Sequence, residues 1–319
     1  MRKPKFSVVV PLYNKCHYIA RAIQSVLDQT YDNFELIVVD DGSTDGSAEI
    51  VKRFGDSRIR MLEQANSGAS GARNSGIKCS RGEWIAFLDA DDIWMPENLS
   101  SHVEILKQHP EINWSAGSFV RRYPGGRVEY PVMPASLAER IDDGVFRNAL
   151  SLISNALICT CTVVIRKEVF STIGYFDPEF ETAEDLDMWM RLWMKYRDVG
   201  YADKVIMEYM QEIPYSLTET RIESNDNRVS HALFVRKYWK AAVTMDLADR
   251  LEIAKMCKAL LRHGIMKLIL GGQRSRALDT IAEFRRVIGG SLTCRLLILA
   301  MVPKKITWGI YKFVAKQSA

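Results

Sequence analysis

Trp84-Ile-Ala-Phe-Leu-Asp-Ala-Asp-Asp92 decides the reading of this chain: an apolar run that stops abruptly on three carboxylates. Residues Trp84 to Leu88 follow Gly82 and have the length and continuity of a strand buried on both faces of a parallel sheet. Asp89, Asp91 and Asp92 then fall at its carboxyl end, where open α/β sheets bind their ligands. Carboxylates this close repel one another unless a cation lies between them. Hard oxygen donors on a short turn suit Mg2+ or Mn2+, ions that commonly bind together with substrate phosphates. The competing reading is an acidic turn that ends the strand and caps a helix starting near Pro96.

Two further stretches repeat the pattern. Phe34-Glu-Leu-Ile-Val-Val-Asp40 runs into Asp41-Gly-Ser-Thr-Asp-Gly-Ser47, and Phe6-Ser-Val-Val-Val10 runs into Pro11-Leu-Tyr-Asn14. A helical pattern follows each, as with Ile19, Ile23, Val26 and Leu27 after the first. In a parallel sheet the three strand ends share one edge, and a single cleft then gathers Asn14, Asp40, Asp41, Asp89 and Asp91. The glycine-rich segment Asn66 to Ile77 predicts a helix packed tightly on the sheet, with Arg73 as its one strongly charged residue, facing the cleft. Its glycine spacing matches neither a dinucleotide fingerprint nor a P-loop.

Beyond a helix from Pro96 to Gln108 the pattern loosens. A strand is expected over Trp114 to Val120, an irregular, acceptor-facing loop over Arg127 to Arg147, and a buried strand over Leu157 to Ile165. A helix carrying Trp189 and Trp193 follows Glu184-Asp185.

Composition agrees with a globular enzyme. Of 319 residues, 47% are hydrophobic and 26% charged, enough for a large core in one main domain with an addition. The six cysteines show no paired metal spacing and read as free thiols of a reducing compartment; Cys159-Thr-Cys161 reads as core. Met1-Arg-Lys-Pro-Lys5 leads directly into the first strand, without the pattern of a signal peptide, so a cytoplasmic location is expected.

Five ordered motifs carry a resemblance: Val-Pro-Leu-Tyr-Asn14, Val-Asp-Asp-Gly-Ser43, Asn66 to Gly76, Leu-Asp-Ala-Asp-Asp92 and Glu184-Asp185. Over about Phe6 to Ser216 the chain resembles the family 2 glycosyltransferases, inverting enzymes with a GT-A fold. The resemblance implies an α/β, Rossmann-like, mostly parallel sheet flanked by helices, with a helical extension after it. It implies residues 1–230 as the transferase domain, about 1–105 for the nucleotide-sugar and 106–230 for the acceptor. It also implies a nucleoside pocket lined by Pro11, Tyr13, Asn14 and Asp40, with Asp41 pairing with the base, usually uracil. Arg73 would contact the base or diphosphate, Asp89 and Ala90 would lie near the ribose, and Asp91 would hold Mn2+ or Mg2+. Asp185 is implied as general base, with Asp187 its rival two residues on. Where family members often carry a histidine, this chain has Glu212, an additional candidate metal ligand. The Gln-x-x-Arg-Trp pattern of processive synthases is absent, which favours a single sugar added per acceptor.

The C-terminal region reads differently. Residues 255–319 hold thirteen Lys or Arg against Asp279 and Glu283, whereas the whole chain is only +4, so residues 1–254 are net negative. With Leu292 to Val302 apolar and Lys304, Lys305, Trp308, Tyr311 and Lys312 behind, residues 231–319 suit a basic helical region anchored on an anionic membrane surface. A helical cap on the catalytic domain is the alternative, and nucleic acid is not an expected partner. The sequence therefore predicts a metal-dependent hexosyltransferase, peripheral on the inner face of the cell membrane. It would use a nucleotide-sugar donor, a UDP-sugar by preference, and a glycan or lipid-linked acceptor in cell-surface polysaccharide biosynthesis. The alternative is a non-catalytic, membrane-recruited binding protein with a degenerate transferase fold.

Overall fold

A computed structural model describes residues 4–211, 227–270, 272–290, 293 and 296. Glu212 and, apart from positions 293 and 296, the apolar-basic segment from Leu292 onward lie outside the described residues, and so do the ligand and anchor expectations placed on them. By its internal packing the chain divides into two units, residues 4–178 with 184–211, and residues 179–183 with 227–290.

The first unit is built on one mixed sheet. Its amino-terminal half holds β1 (Phe6–Leu12), β2 (Phe34–Asp40), β3 (Ile59–Glu63) and β4 (Trp84–Phe87), all parallel, in the order β3-β2-β1-β4. Every residue of β2 and β4 is buried, including Glu35 of β2, which accepts from Ser7 Oγ (2.6 Å) and Arg60 Nη1 (2.8 Å). Two helices explain this. Ile19, Ile23 and Val26 of α1 (Ile19–Leu27) cluster with Val8, Val10 and Leu12 on one face of the sheet. On the other face, Ala72 of α3 (Gly68–Cys79) packs on Ile37 and Val39. α3 follows α2 (Ser47–Lys52) in the chain. It approaches so closely that a Cβ on Gly76 would meet Val9 Cγ1 at 2.4 Å, which is why this helix is written in glycine and alanine.

The second half of this unit departs from the expected pattern. β5 (Ile93–Trp94) and α4 (Asn98–Gln108) lead to β6 (Trp114–Arg122). The stretch expected to be irregular contains short paired strands, β7 (Val128–Glu129), β8 (Ile141–Asp142) and β9 (Val145–Phe146), around one turn of helix, α5 (Ala135–Ala138). The strand expected over Leu157 to Ile165 is instead a buried 3-10 turn at Thr160–Thr162 and a three-residue β10 (Val164–Arg166). α6 (Leu150–Ser154) precedes that turn, and α7 (Val169–Ile173) and α8 (Glu184–Lys195) follow it.

β10 runs antiparallel between β4 and β6 and joins the two halves. β11 (Val199–Met210) then pairs parallel with β6, with register shifts around Val205. α8 buries Met188, Trp189, Leu192 and Trp193, and Trp189 stacks on Trp114 of β6 at 6.4 Å between ring centroids.

The second unit is helical where described: α9 (Asn227–Ala242), α10 (Leu247–Leu270) and α11 (Arg274–Ile288). Its core holds Phe234, Tyr238, Ile253, Met256, Leu261, Ile265, Ile281 and Phe284. A two-pronged ion pair from Arg236 to Glu283 (2.7 and 2.9 Å) fixes α9 to α11. Among the described residues no helix is long and apolar enough to cross a membrane.

Candidate active site

Because β1, β2 and β4 are parallel neighbours, their carboxyl ends and the loops after them meet on one edge. The β1 and β2 loops are stitched together by short polar side chains. Asn14 takes a left-handed conformation (φ 51), its amide donates to Ser43 Oγ (3.0 Å), and its side-chain oxygen accepts from the Thr44 amide (2.8 Å). The Lys15 amide donates to Ser47 Oγ (2.9 Å) and the Cys16 amide to Asp45 Oδ2 (2.9 Å). Asp40 is buried and accepts from the Ser43 amide (3.1 Å), which shapes the turn. Pro11 is half-buried at the end of β1, and Tyr13 stands 48% exposed just after it.

Asp41 is 3% exposed and holds the start of α3. Its Oδ1 accepts from Gln64 Nε2 (2.7 Å), the Ser67 amide (2.9 Å) and Ser67 Oγ (3.1 Å); its Oδ2 accepts from the Gly68 amide (2.8 Å). A carboxylate offers about four lone pairs. Oδ1 is saturated, whereas Oδ2 has capacity for one more donor.

Arg73 joins the two halves of the site. Its guanidinium is 3% exposed and ion-paired at both terminal nitrogens, Nη2 with Asp89 Oδ1 (2.8 Å) and Nη1 with Glu184 Oε1 (2.9 Å). Burial opposes its charge, but these two carboxylates keep it protonated. Both ends of Arg73 are thus used within the protein, a pairing between residues 111 positions apart that the sequence does not display.

The acidic turn separates its three carboxylates by role. Asp92 is 1% exposed, accepts from the Met210 amide (2.9 Å) and from the Cys161 thiol (3.3 Å), and so ties β11 to this turn. Burial, with Asp91 and then Cys159 adding, pushes its carboxyl well above the usual range. Ala90 is buried. Asp91 pairs with Lys15 Nζ at 2.7 Å, both side chains more than four-fifths shielded from solvent. Burial raises the Asp91 carboxyl despite Lys15, and Asp89 adds to the rise.

Asp89, Asp92 and Cys161 bring one donor atom each within 4.8 Å of one another. The Cys161 thiol, however, is pushed far up by burial and spends its proton on Asp92, so it offers no thiolate. Asp91 is different: a carboxylate under charge crowding that already holds a cation. Its hard oxygens fit Mg2+ or Mn2+.

Asp185 is the second residue of α8, partly buried, next to the Glu184 that pairs with Arg73. Its Oδ1 accepts from the Leu186 amide (2.7 Å) and its Oδ2 from Thr160 Oγ1 (3.3 Å). Burial and then Glu184 raise it to about 6, with Arg73 pulling the other way. Asp187 is fully buried and held by Arg191 Nε at 2.8 Å, four residues on, so it is tied up inside the helix layer. Lys15, Glu184 and Thr160 are among the contributors to this geometry to which the sequence assigned no role at the site, with Gln64 and Cys161. No local signal marks them, since each acts through a partner distant in the chain.

A mixed sheet of this order, with acidic turns at the ends of parallel strands, is the frame of a GT-A transferase. The family model for glycosyl transferase family 2 matches residues 7–174, and the chain belongs to that family. It is 32% identical to the putative teichuronic acid biosynthesis glycosyltransferase TuaG of Bacillus subtilis, over 70% of this chain and 83% of that one. It is 33% identical to the UDP-Glc:alpha-D-GlcNAc-diphosphoundecaprenol beta-1,3-glucosyltransferase WfgD of Escherichia coli, over 58% and 68%. Some curated relatives are much longer: the chain spans 34% and 27% of two rickettsial ones. Among solved structures, S. aureus TarS 1-349 in complex with UDP-GlcNAc superposes with a TM-score of 0.69 at 20% identity, over 90% of this chain and 82% of that one. The mannosyltransferase PcManGT of Pyrobaculum calidifontis, in complex with GDP-Man and Mn2+, gives 0.53 at 18% identity, over 97% and 84%. These likenesses show the GT-A fold.

Proposed function

We propose that this glycosyltransferase moves a single sugar, with inversion, from a UDP-sugar to a hydroxyl of a glycan or lipid-linked acceptor in cell-surface polysaccharide biosynthesis. The observation that carries the reading is Asp185, a carboxylate raised to about 6 on an element separate from Asp89 and Asp91. A group with that pKa is mostly ionised at neutral pH yet basic enough to take a proton from an attacking hydroxyl, a step worth about 10²–10⁴ in rate. One displacement from that side inverts the anomeric carbon. A raised carboxylate of this kind supports a catalytic role over a binding protein with a degenerate fold.

On the donor side, the free capacity of Asp41 Oδ2 suits a base N–H, and Pro11, Tyr13, Asn14 and Asp40 shape the nucleoside end. Asp89 and Ala90 lie toward the ribose, and Arg73 sets the position of Asp89. Asp91 would hold Mn2+ or Mg2+, which when bound would supply Lewis-acid stabilisation of the negative charge on a departing diphosphate. Relatives named for teichuronic acid biosynthesis and for an undecaprenol-linked acceptor support the acceptor class. The TarS complex with UDP-GlcNAc supports the donor class. The basic composition of residues 231–319 supports a position on the cytoplasmic face of the membrane.

Calorimetric titration of UDP, GDP, dTDP and CDP, each with and without Mn2+, on wild type and Asp91→Ala tests the donor site. UDP binding that needs Mn2+ and is lost in Asp91→Ala is expected. Nucleotide binding indifferent to both refutes the metal assignment, and no binding at all refutes the donor site.

A further inference from the structure

Lys15 sits at this edge among the described residues and takes no part in the donor chemistry assigned to its neighbours. It follows the left-handed Asn14, its backbone is anchored on Ser47, and its ammonium reaches 2.7 Å from Asp91, the same carboxylate assigned to the metal. The two cations of the acidic turn are built differently. Arg73 is 3% exposed and clamped between carboxylates from two elements, Asp89 and Glu184, so it cannot leave without breaking both. Lys15 reaches Asp91 as a compact charge on a flexible four-carbon stem, with the Tyr18 ring 5.8 Å away, and its pair with this carboxylate is a single contact rather than a two-ended clamp.

We propose that Lys15 is a resident cation for Asp91: its ammonium holds the place that a divalent ion takes, so metal entry is an exchange. The inference rests on the assignment of Asp91 as the metal-holding carboxylate. An ammonium and a divalent ion cannot share one carboxylate oxygen at contact distance without strong repulsion. The metal therefore enters only as Lys15 withdraws, and the free protein holds metal weakly. A nucleoside diphosphate shifts the balance, because its phosphates bring ligands for the ion and a new anionic partner for the displaced ammonium. The metal accordingly loads with the donor rather than before it.

Mn2+ titration followed by electron paramagnetic resonance, without nucleotide and again with UDP, separates the outcomes on wild type, Lys15→Met and Lys15→Arg. Removing a unit charge about 4–6 Å from a binding group changes its affinity about tenfold or more. Lys15→Met is therefore expected to bind Mn2+ at least tenfold more tightly than wild type without nucleotide, with Lys15→Arg close to wild type. Equal affinity of Lys15→Met and wild type without nucleotide, with Mn2+ retained in both when UDP is added, overturns the exchange and leaves the metal assignment standing. No Mn2+ retention by any of the three proteins, even with UDP, overturns both.

A second measurement keeps the idea testable if the variants fold poorly. In wild type carrying 13C-methylated lysines, the Lys15 resonance should move when Mg2+ and UDP are added together. A Lys15 resonance unmoved at saturating UDP and Mg2+ overturns the exchange.

Discussion

Replacing Asp185 with Asn should abolish transfer and at the same time make the protein more stable. The folded protein raises this carboxyl from 3.8 to about 6, so its ionised form is disfavoured relative to the unfolded chain. A difference of about 2 in pKa at about 1.4 kcal/mol each gives about 3 kcal/mol of destabilisation at neutral pH, an upper figure because Asp185 keeps some contact with solvent. The amide can still accept from the Leu186 amide and can donate to Thr160 Oγ1, so little is lost in exchange. For a folded unit of this size, 2–3 kcal/mol corresponds to a rise of about 5 °C or more in Tm. The pH dependence is the sharper part. An acid with a raised pKa weakens the fold as pH climbs from its unfolded value through its folded one, so the variant's advantage should open between about pH 4 and pH 6 and stay constant above. Calorimetric melts of wild type and Asp185→Asn from pH 4 to pH 8 measure this. Superimposable melts across that range, or a variant less stable at pH 7, would refute the argument that Asp185 is held at a cost.

Arg73→Met leaves Asp89 and Glu184 without their shared partner and should cost about 3 kcal/mol or more. It should also move the acid limb of kcat/KM upward, since Arg73 holds the Asp185 carboxyl down; an unmoved limb would show that Arg73 does not act on Asp185. Asp187→Asn should lower Tm by weakening the pair with Arg191 while the acid limb stays where it is. Lost activity with an unchanged melt would transfer the base role to Asp187. Gly76→Ala forces a methyl into Val9 and should destabilise by about 1–3 kcal/mol, read from urea unfolding followed by circular dichroism.

The parallel half of the sheet was legible because β1, β2 and β4 are buried on both faces and are written as apolar runs, broken only by Ser7 and Glu35 near their starts, that lead into turn residues. The other half was not, for two reasons. Leu157 to Ile165 is apolar because it is buried, and burial alone does not distinguish a strand from a 3-10 turn packed under the sheet. β11 went unread because Asp203 and Lys204 are exposed at its register shifts, which interrupts any alternation. At the site, the residue types and their strand ends were readable. Their partners were not: Asp41 with Gly68, Arg73 with Glu184 and Lys15 with Asp91 are contacts made by the fold between residues far apart in sequence.

The Arg73 guanidinium has a consequence for how this site can change over generations. It pairs with Asp89 at one end and with Glu184 beside Asp185 at the other, so losing Arg73 strands two carboxylates and losing either carboxylate strands one end of the buried guanidinium. Positions 73, 89 and 184 should therefore drift as a set or not at all. The stretch 127–147 is tied elsewhere, Glu129 to Arg121 and Arg147 to Asp198, so it can change without disturbing that set.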